Sequence, residues 1–120
     1  MRTKMLWIKD EYLQLILDGR KTIEVRVGYG NITRLQPGDR LLLNDLHPFI
    51  IKRVRRYADF EELLAHEDAA AIAPDMLPGR LLDALRAIYP PEKEALGAIA
   101  LEVERDERAL SFPSTPTPDW

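Results

Sequence analysis

Alternation of apolar and polar residues with a period of two indicates half-buried strands in this chain. The clearest case is residues 22–27, where the apolar residues would face a core and Glu24 and Arg26 would be neighbours on the opposite face. Trp7, in the first predicted strand, is expected to be a core or a rim aromatic, and the core is the favoured place. The other predicted strands cover residues 4–9, 40–44, 49–57 and 98–105.

Helices are predicted between these strands. Asp10 is placed to cap the first helix, and Gly19 follows its last turn as a residue that accepts the left-handed conformation. Asp59, with Glu62 three residues later, forms a capping box for another helix. The four predicted helices cover residues 10–18, 59–66, 68–73 and 78–89. Short helices among short strands predict an α+β domain.

The chain has 120 residues, enough for one domain with its own core, which we predict over residues 1–108. It has no cysteine, and His47 and His66 are too far apart in sequence to form a recognisable ligand motif, so neither a metal nor a cofactor is expected. No apolar run is long enough to span a bilayer, and the first residues do not lead into a signal-peptide core. The protein is therefore expected to be cytoplasmic, with no membrane partner.

Residues 109–120 contain three prolines and are predicted to form a tail outside the domain. Phe112 and Trp120 are the candidate anchors of this tail. We expect the tail to dock on its own domain or on a second subunit.

Charge is distributed unevenly along the chain, although the formal net charge is only −3. Residues 1–57 contain twelve Lys and Arg against six Asp and Glu, whereas residues 58–120 contain five against fourteen. One face of the domain can therefore be basic, and local charge is what meets phosphates. The acidic overall balance does not exclude a nucleic-acid partner.

Four cations lie on the predicted strand 49–57. Alternation places Arg53 and Arg55 on one face and Lys52 and Arg56 on the other. Charges of this kind can protect an edge strand from aggregation, or they can form a stripe that contacts phosphates. The sequence leaves both interpretations open.

Residues 19–26 join a helix end and a strand start, and they include the charged residues Lys21, Glu24 and Arg26 at fixed spacing. Lys21 lies at the junction, so alternation does not assign it to either face of the strand. A lysine at a helix C-terminus can also serve only to compensate unpaired carbonyl groups. Tyr29 follows in a predicted turn over residues 28–31, where it is either a surface residue or a platform on which a base stacks.

Gly19, Lys21, Glu24 and Arg26 resemble the Gly-x-Lys-x-x-Glu-x-Arg motif of ASCH domains, which are small members of the PUA-like superfamily. Further segments resemble ASCH landmarks in the same order, and the resemblance covers residues 4–104. These segments are residues 35–39, 54–57, 60–64 and 88–91, the last leading to Gly97. The resemblance implies a small stand-alone prokaryotic ASCH protein with a PUA-like open β-barrel, short helices packed around the barrel and the motif in a cleft.

The resemblance implies an RNA-binding or nucleotide-binding protein. Glu24 and Arg26 would form an ion pair that fixes the guanidinium fork at the cleft. RNA or a nucleotide-like small molecule is the expected partner, recognised through its bases and phosphates. The candidate binding residues are Lys21, Glu24, Arg26, Tyr29, Arg53 and Arg55.

A small hydrolase is the alternative function. One branch of ASCH proteins removes acyl groups from the amino group of modified cytidine with a lysine, a threonine and a glutamate, and another branch is associated with RNA cleavage. Lys21 matches the lysine, but Glu24 stands where the threonine is expected, and residues 69–74 are alanine-rich where the glutamate should fall. If the chain is an enzyme, Lys21 and Glu24 are its candidate acid and base. A third possibility is a module that binds protein partners through the cleft or the tail.

Overall fold

The computed structural model describes residues 2–107, which form five strands and six helices. The strands are β1 (Thr3–Leu6), β2 (Ile23–Val27), β3 (Arg40–Leu43), β4 (His47–Tyr57) and β5 (Ala98–Arg105). The helices are α1 (Asp10–Leu17), α2 (Gly30–Thr33), α3 (Phe60–His66), α4 (Ala69–Ile72), α5 (Pro78–Ile88) and α6 (Pro91–Glu94). The α+β class predicted from the sequence is confirmed.

All five strands belong to one sheet, in the order β1-β3-β4-β5-β2. β1 and β3 are parallel, and the other neighbouring strands are antiparallel. β1 and β2 are therefore the two edges of the sheet, which forms a half-barrel that stays open between them.

Apolar side chains form one core on each face of the sheet. Inside the half-barrel, residues such as Leu41, Ile51 and Leu101 pack with α1 and α2. On the outer face, residues such as Val25 and Ala100 pack against α3, α4 and α5. The apolar residues of β2 belong to the outer core, as predicted, so its alternate residues Glu24 and Arg26 point toward the opening of the half-barrel.

The helix ends follow local sequence signals, with one exception. Gly19 has a φ of 87° directly after α1, and the side chain of Asp59 accepts a hydrogen bond from the N–H of Glu62 (2.8 Å), so both predictions are confirmed. Glu62 in turn accepts from the N–H of Ala58 (3.1 Å) instead of that of Asp59. The predicted capping role of Asp10 is wrong, because Asp10 is already the first residue of α1. In the first turn its charge still favours the helix dipole.

Three other sequence predictions are wrong. β1 ends at Leu6, and Trp7 is 65% exposed instead of lying in the core. Residues 28–31 are not only a turn, because Gly30 begins α2. The helix α6 was not predicted, although Pro91 is well suited to the first helical position, where its missing N–H breaks no helical hydrogen bond.

The described chain ends beside β4, where the N–H of Asp106 donates to the carbonyl of Pro48 (3.0 Å). The predicted tail over residues 109–120, with Phe112 and Trp120, lies outside the described residues, as does the predicted boundary at residue 108. Within residues 2–107, no helix is long and apolar enough to cross a membrane.

Candidate functional site

A cleft of about 270 Å³ opens at the gap between the two edges of the half-barrel. It is lined by β2, by the segment that follows β1, and by residues of α5 and of the segment that precedes it. Most of this lining is apolar. Its charged part includes the motif residues Lys21, Glu24 and Arg26.

Lys21 is buried at the base of the cleft, with 5% of its side chain exposed. Its ammonium group donates to the carbonyls of Ile23 (2.6 Å) and Ile72 (2.8 Å) and lies 3.2 Å from Oε1 of Glu24. Two hydrogen bonds and one ion pair therefore hold this buried ammonium group in place. Because Ile72 is the last residue of α4, the ammonium group compensates a terminal carbonyl of that helix, whereas the backbone N–H of Lys21 donates to the carbonyl of Leu15 in α1 (3.0 Å). The structure thus assigns Lys21 to the same site as Glu24.

Glu24 lies between two cations. Its Oε1 faces Lys21, and its Oε2 accepts a hydrogen bond from Nε of Arg26 (2.7 Å). The predicted contact between Glu24 and Arg26 on one face of β2 is confirmed. We call Lys21, Glu24 and Arg26 the cleft triad. One carboxylate between two cations leaves the triad with a surplus positive charge, which favours an anionic ligand.

Arg26 also bridges the gap between the edges of the sheet. Its Nη2 donates to the carbonyl of Trp7, directly after β1, at 2.8 Å. Together with the bond to Glu24, this contact uses two of the five N–H donors of the guanidinium group. The side chain is 21% exposed and lines the cleft, so its remaining donors can reach a ligand there.

Three aromatic residues that the sequence did not single out as site residues also line the cleft, namely Trp7, Tyr12 and Tyr89. Trp7 lies at the rim, and Tyr89 follows α5. Burial raises the pKa of the Tyr89 hydroxyl, so it is protonated at neutral pH, and among residues 2–107 it has no hydrogen-bond partner. Trp7 could not be found from alternation, because residues 5–8 are all apolar and only the structure shows that its neighbours Leu6 and Ile8 are buried.

Tyr29 lies beside the cleft, outside the described residues that line it. It precedes α2, is partly exposed, and has the ammonium group of Lys93 5.5 Å from its ring centre. The cation covers one face of the ring, so a stacked base would use the other face. The hydroxyl groups of Tyr29 and Tyr89 are close enough to interact electrostatically, so the two tyrosines lie in the same region.

Arg53 and Arg55 lie together, but outside the described lining of the cleft. Arg55 donates from Nε and Nη2 to Glu67 (2.6 and 2.7 Å) and from Nη1 to Glu102 (2.9 Å). Arg53 donates from Nη1 to the other oxygen of Glu102 (2.7 Å). The hydroxyl of Tyr57 donates to Glu67 as well. We call Arg53, Arg55, Glu67 and Glu102 the β4 cluster.

The opposite charges of the β4 cluster hold each other ionised. The hydrogen bonds with Glu67 raise the pKa of Arg55, and the same bonds lower the pKa of Glu67. Burial acts to raise the pKa of Glu102, but the hydrogen bond from Arg55 and the charge of Arg53 lower it overall. With two cations and two carboxylates, the cluster is formally neutral at neutral pH.

A β-bulge changes the predicted distribution of cations on β4. Ile51 pairs with Val103 and Arg53 pairs with Glu102, so Lys52 is an extra residue between two paired positions. Lys52 therefore approaches Glu102 (3.8 Å), and its predicted place on the face opposite Arg53 is wrong. β4 pairs with β3 only along its first half, so the second half does present an edge of the sheet.

The described residues hold no group of three or more His, Cys, Asp or Glu side chains that could bind a metal ion. In the cleft itself, both oxygens of Glu24 face cations. The cleft is therefore suited to contact with an organic or anionic ligand through Arg26 and its aromatic rim.

Comparisons with known proteins agree with the motif. A family model of the ASCH domain matches residues 6–107. The crystal structure of the hypothetical protein PH0355 is similar, with a TM-score of 0.80 and 28% identity over 88% of this chain and 99% of that protein. The solution structure of protein PF0455 from Pyrococcus furiosus has a TM-score of 0.73 and 28% identity over 89% of this chain and 99% of that one.

A search of the curated proteins found no match. The family model nevertheless covers most of the chain, and the five-stranded half-barrel with short helices has the predicted PUA-like architecture. The chain therefore belongs to the ASCH domain family.

Proposed function

We propose that this protein binds single-stranded RNA or a nucleotide, with one base held in the cleft beside the cleft triad. ASCH domains are associated with RNA binding as a family. The observation that carries the proposal for this chain is the position of the triad, at the base of an apolar cleft with an exposed tryptophan at its rim. An apolar cavity with a few convergent polar groups is the usual form of a small-ligand site.

Within the triad, Arg26 is the residue that contacts the ligand. Three of its N–H donors remain available, whereas the ammonium group of Lys21 is buried and already held by two carbonyls and the carboxylate of Glu24. Lys21 acts instead as a positioning residue: it fixes Glu24, which fixes the guanidinium plane of Arg26. A guanidinium group held in this way is suited to two-point contact with a phosphate or with a base edge.

The aromatic rim supplies the second part of the site. Trp7 lines the cleft and is largely exposed, and base stacking on such a ring contributes about 1–3 kcal/mol per base. The protonated hydroxyl of Tyr89 can donate to, or accept from, a polar atom of the base. Stacking depends little on which base is bound, so in this proposal the rim binds a base without selecting its identity.

Arg53 and Arg55 are left out of the proposed contact surface. Arg55 has all three of its nitrogens bonded to carboxylates, and Arg53 shares Glu102 with it. A phosphate would have to displace these carboxylates in order to bind. The cations of the β4 cluster therefore have a structural role in this proposal.

The hydrolase alternative is less favoured because its candidate acid and base are already held by protein partners. A general base needs a free lone pair within reach of the substrate, and the buried ammonium group of Lys21 donates to two carbonyls and pairs with Glu24. Both oxygens of Glu24 are held by cations. Turnover of an acylated cytidine or cleavage of RNA by the wild-type protein, abolished by Lys21→Ala, would reverse this preference.

Fluorescence anisotropy with a labelled short single-stranded RNA tests the proposal. Trp7→Ala should weaken binding by about 1–3 kcal/mol through lost stacking, and Arg26→Gln by about 1.5–3 kcal/mol through a lost charged hydrogen bond. Arg53→Gln removes the same charge from an exposed position and should leave the affinity unchanged. Circular dichroism establishes that each variant is folded. Wild-type affinity in both folded cleft variants would contradict the proposal.

A further inference from the structure

Backbone carbonyls at the end of α2 hold two arginine side chains together, at the point where a third arginine follows the helix. Arg2 donates from Nη1 to the carbonyl of Arg34 (3.0 Å), and Arg56 donates from Nη2 to the carbonyl of Thr33 (2.7 Å). Because these carbonyls belong to consecutive residues, the guanidinium groups of Arg2 and Arg56 lie near each other. Arg34 follows α2 at the same point, and all three side chains belong to exposed residues. We call Arg2, Arg34 and Arg56 the arginine patch.

The charge of the arginine patch is largely uncompensated. Within residues 2–107, no carboxylate lies within ion-pair distance of these three guanidinium groups. The carboxylate of Asp39 is nearby, but it accepts the backbone N–H groups of Arg2 and Gln36. Other arginines are paired with carboxylates, namely Arg20, Arg26, Arg40, Arg53, Arg55 and Arg86. The patch therefore presents a localised positive field on a protein of negative net charge.

The arginine patch is continuous with the cleft. Tyr29, beside the cleft, precedes α2, and Arg34 follows it, so the helix spans about 8 Å between them at 1.5 Å per residue. Across the sheet, Arg26 of the cleft and Arg56 of the patch both pair with Ile99, so their backbones are about 10 Å apart, or two strand spacings. An extended ligand that leaves the cleft can therefore reach the patch past Tyr29.

We propose that the arginine patch binds the phosphodiester backbone of the single-stranded RNA whose base occupies the cleft. The inference rests on the proposed function, because continuity with the cleft is what favours RNA over an acidic peptide or an anionic lipid surface. Each guanidinium of Arg2 and Arg56 is oriented by one carbonyl and retains donors for phosphate oxygens. Tyr29, between the two sites, offers a ring face for a second base.

The salt dependence of RNA binding tests this proposal. The variant Arg2→Gln, Arg34→Gln, Arg56→Gln should lower the slope of log affinity against log salt by about 2, because each phosphate contact on a single strand contributes about 0.7. The matched control is Arg20→Gln, Arg53→Gln, Arg105→Gln, which removes the same charge from exposed residues outside the patch and should keep the wild-type slope. Circular dichroism checks that both triple variants are folded.

Trp7→Ala separates this inference from the proposed function. It should weaken RNA binding without changing the salt slope, because stacking releases no counterions. If the patch variant keeps the wild-type salt slope, the arginine patch does not bind the RNA backbone, and the cleft proposal is unaffected. A reduced slope in the patch variant, with wild-type affinity in both Trp7→Ala and Arg26→Gln, overturns the cleft proposal and leaves the patch as an RNA contact. RNA is ruled out as the ligand if the wild-type protein does not bind it. RNA is also ruled out if polyglutamate or anionic vesicles bind more tightly than RNA and the patch variant loses that binding.

Discussion

The cleft triad and the β4 cluster are built from the same parts but differ in what they leave available. In both, a carboxylate joins two cations: Glu24 joins Lys21 to Arg26, and Glu102 joins Arg53 to Arg55. A further carboxylate, Glu67, completes the β4 cluster and makes it neutral. The cleft triad lacks such a group among the described residues and keeps a surplus positive charge beside a cavity.

The comparison shows that the number of cations in a segment does not identify a binding surface. Arg55 has bonds from Nε, Nη1 and Nη2 to carboxylates, whereas Arg26 has bonds from Nε and Nη2 and faces a cavity. A ligand competes with existing partners at Arg55 but adds to them at Arg26. Donors that remain unused, and access to them, therefore distinguish the two sites better than charge does.

The largest expected effect concerns stability and comes from the triad. Lys21→Met should lower the free energy of unfolding by about 3–5 kcal/mol, because it removes one partner of a buried ion pair and leaves two carbonyls without their donor. Lys52→Met is the control, since Lys52 is exposed and lies 3.8 Å from its nearest carboxylate oxygen. Urea unfolding measures both. A loss below about 1 kcal/mol at Lys21, as for a surface pair, would contradict the role of Lys21 as a buried positioning residue.

A smaller effect, dependent on pH, is expected from the β4 cluster. The pKa of Glu67 is lowered in the folded state, so its contribution to stability is present above the ordinary carboxyl pKa and is lost as pH falls through the folded-state value. Glu67→Gln should therefore cost about 2 kcal/mol at pH 7, the scale of one charged hydrogen bond, and less in acid. Urea unfolding of both proteins across this pH range measures the difference. The same cost at all pH values would show that Glu67 acts through packing alone.

Much of the fold is readable from the sequence because it depends on local patterns. The alternation in residues 98–105 gives the bounds of β5, and the helical spacing in residues 78–89 gives α5 to within one residue. Gly19 and Asp59 mark helix ends through conformational and capping preferences that need no distant partner. The resemblance to the ASCH motif also allows the open barrel and the location of the cleft to be predicted.

The candidate site is less readable because its decisive contacts are distant in sequence. The partners of Arg55 lie 12 and 47 residues away, so the sequence shows a basic strand where the structure has a neutral cluster. The bulge at Lys52 shifts the alternation by one residue and cannot be located from period alone. Lys21 precedes β2, so alternation does not apply to it. The side of the sheet on which its side chain lies is set by the hydrogen bond to the carbonyl of Ile72 in α4.

The difference between the two clusters can be observed directly by nuclear magnetic resonance. The Nε–H group of Arg26, the Nε–H group of Arg55 and the indole N–H group of Trp7 each give a signal in a ¹⁵N-labelled sample. On addition of a short single-stranded RNA, we expect the Arg26 and Trp7 signals to shift together while the Arg55 signal stays in place, because its partners Glu67 and Glu102 are retained. Shifts at Arg55 with unchanged signals at Arg26 and Trp7 would contradict the assignment of the binding site to the cleft.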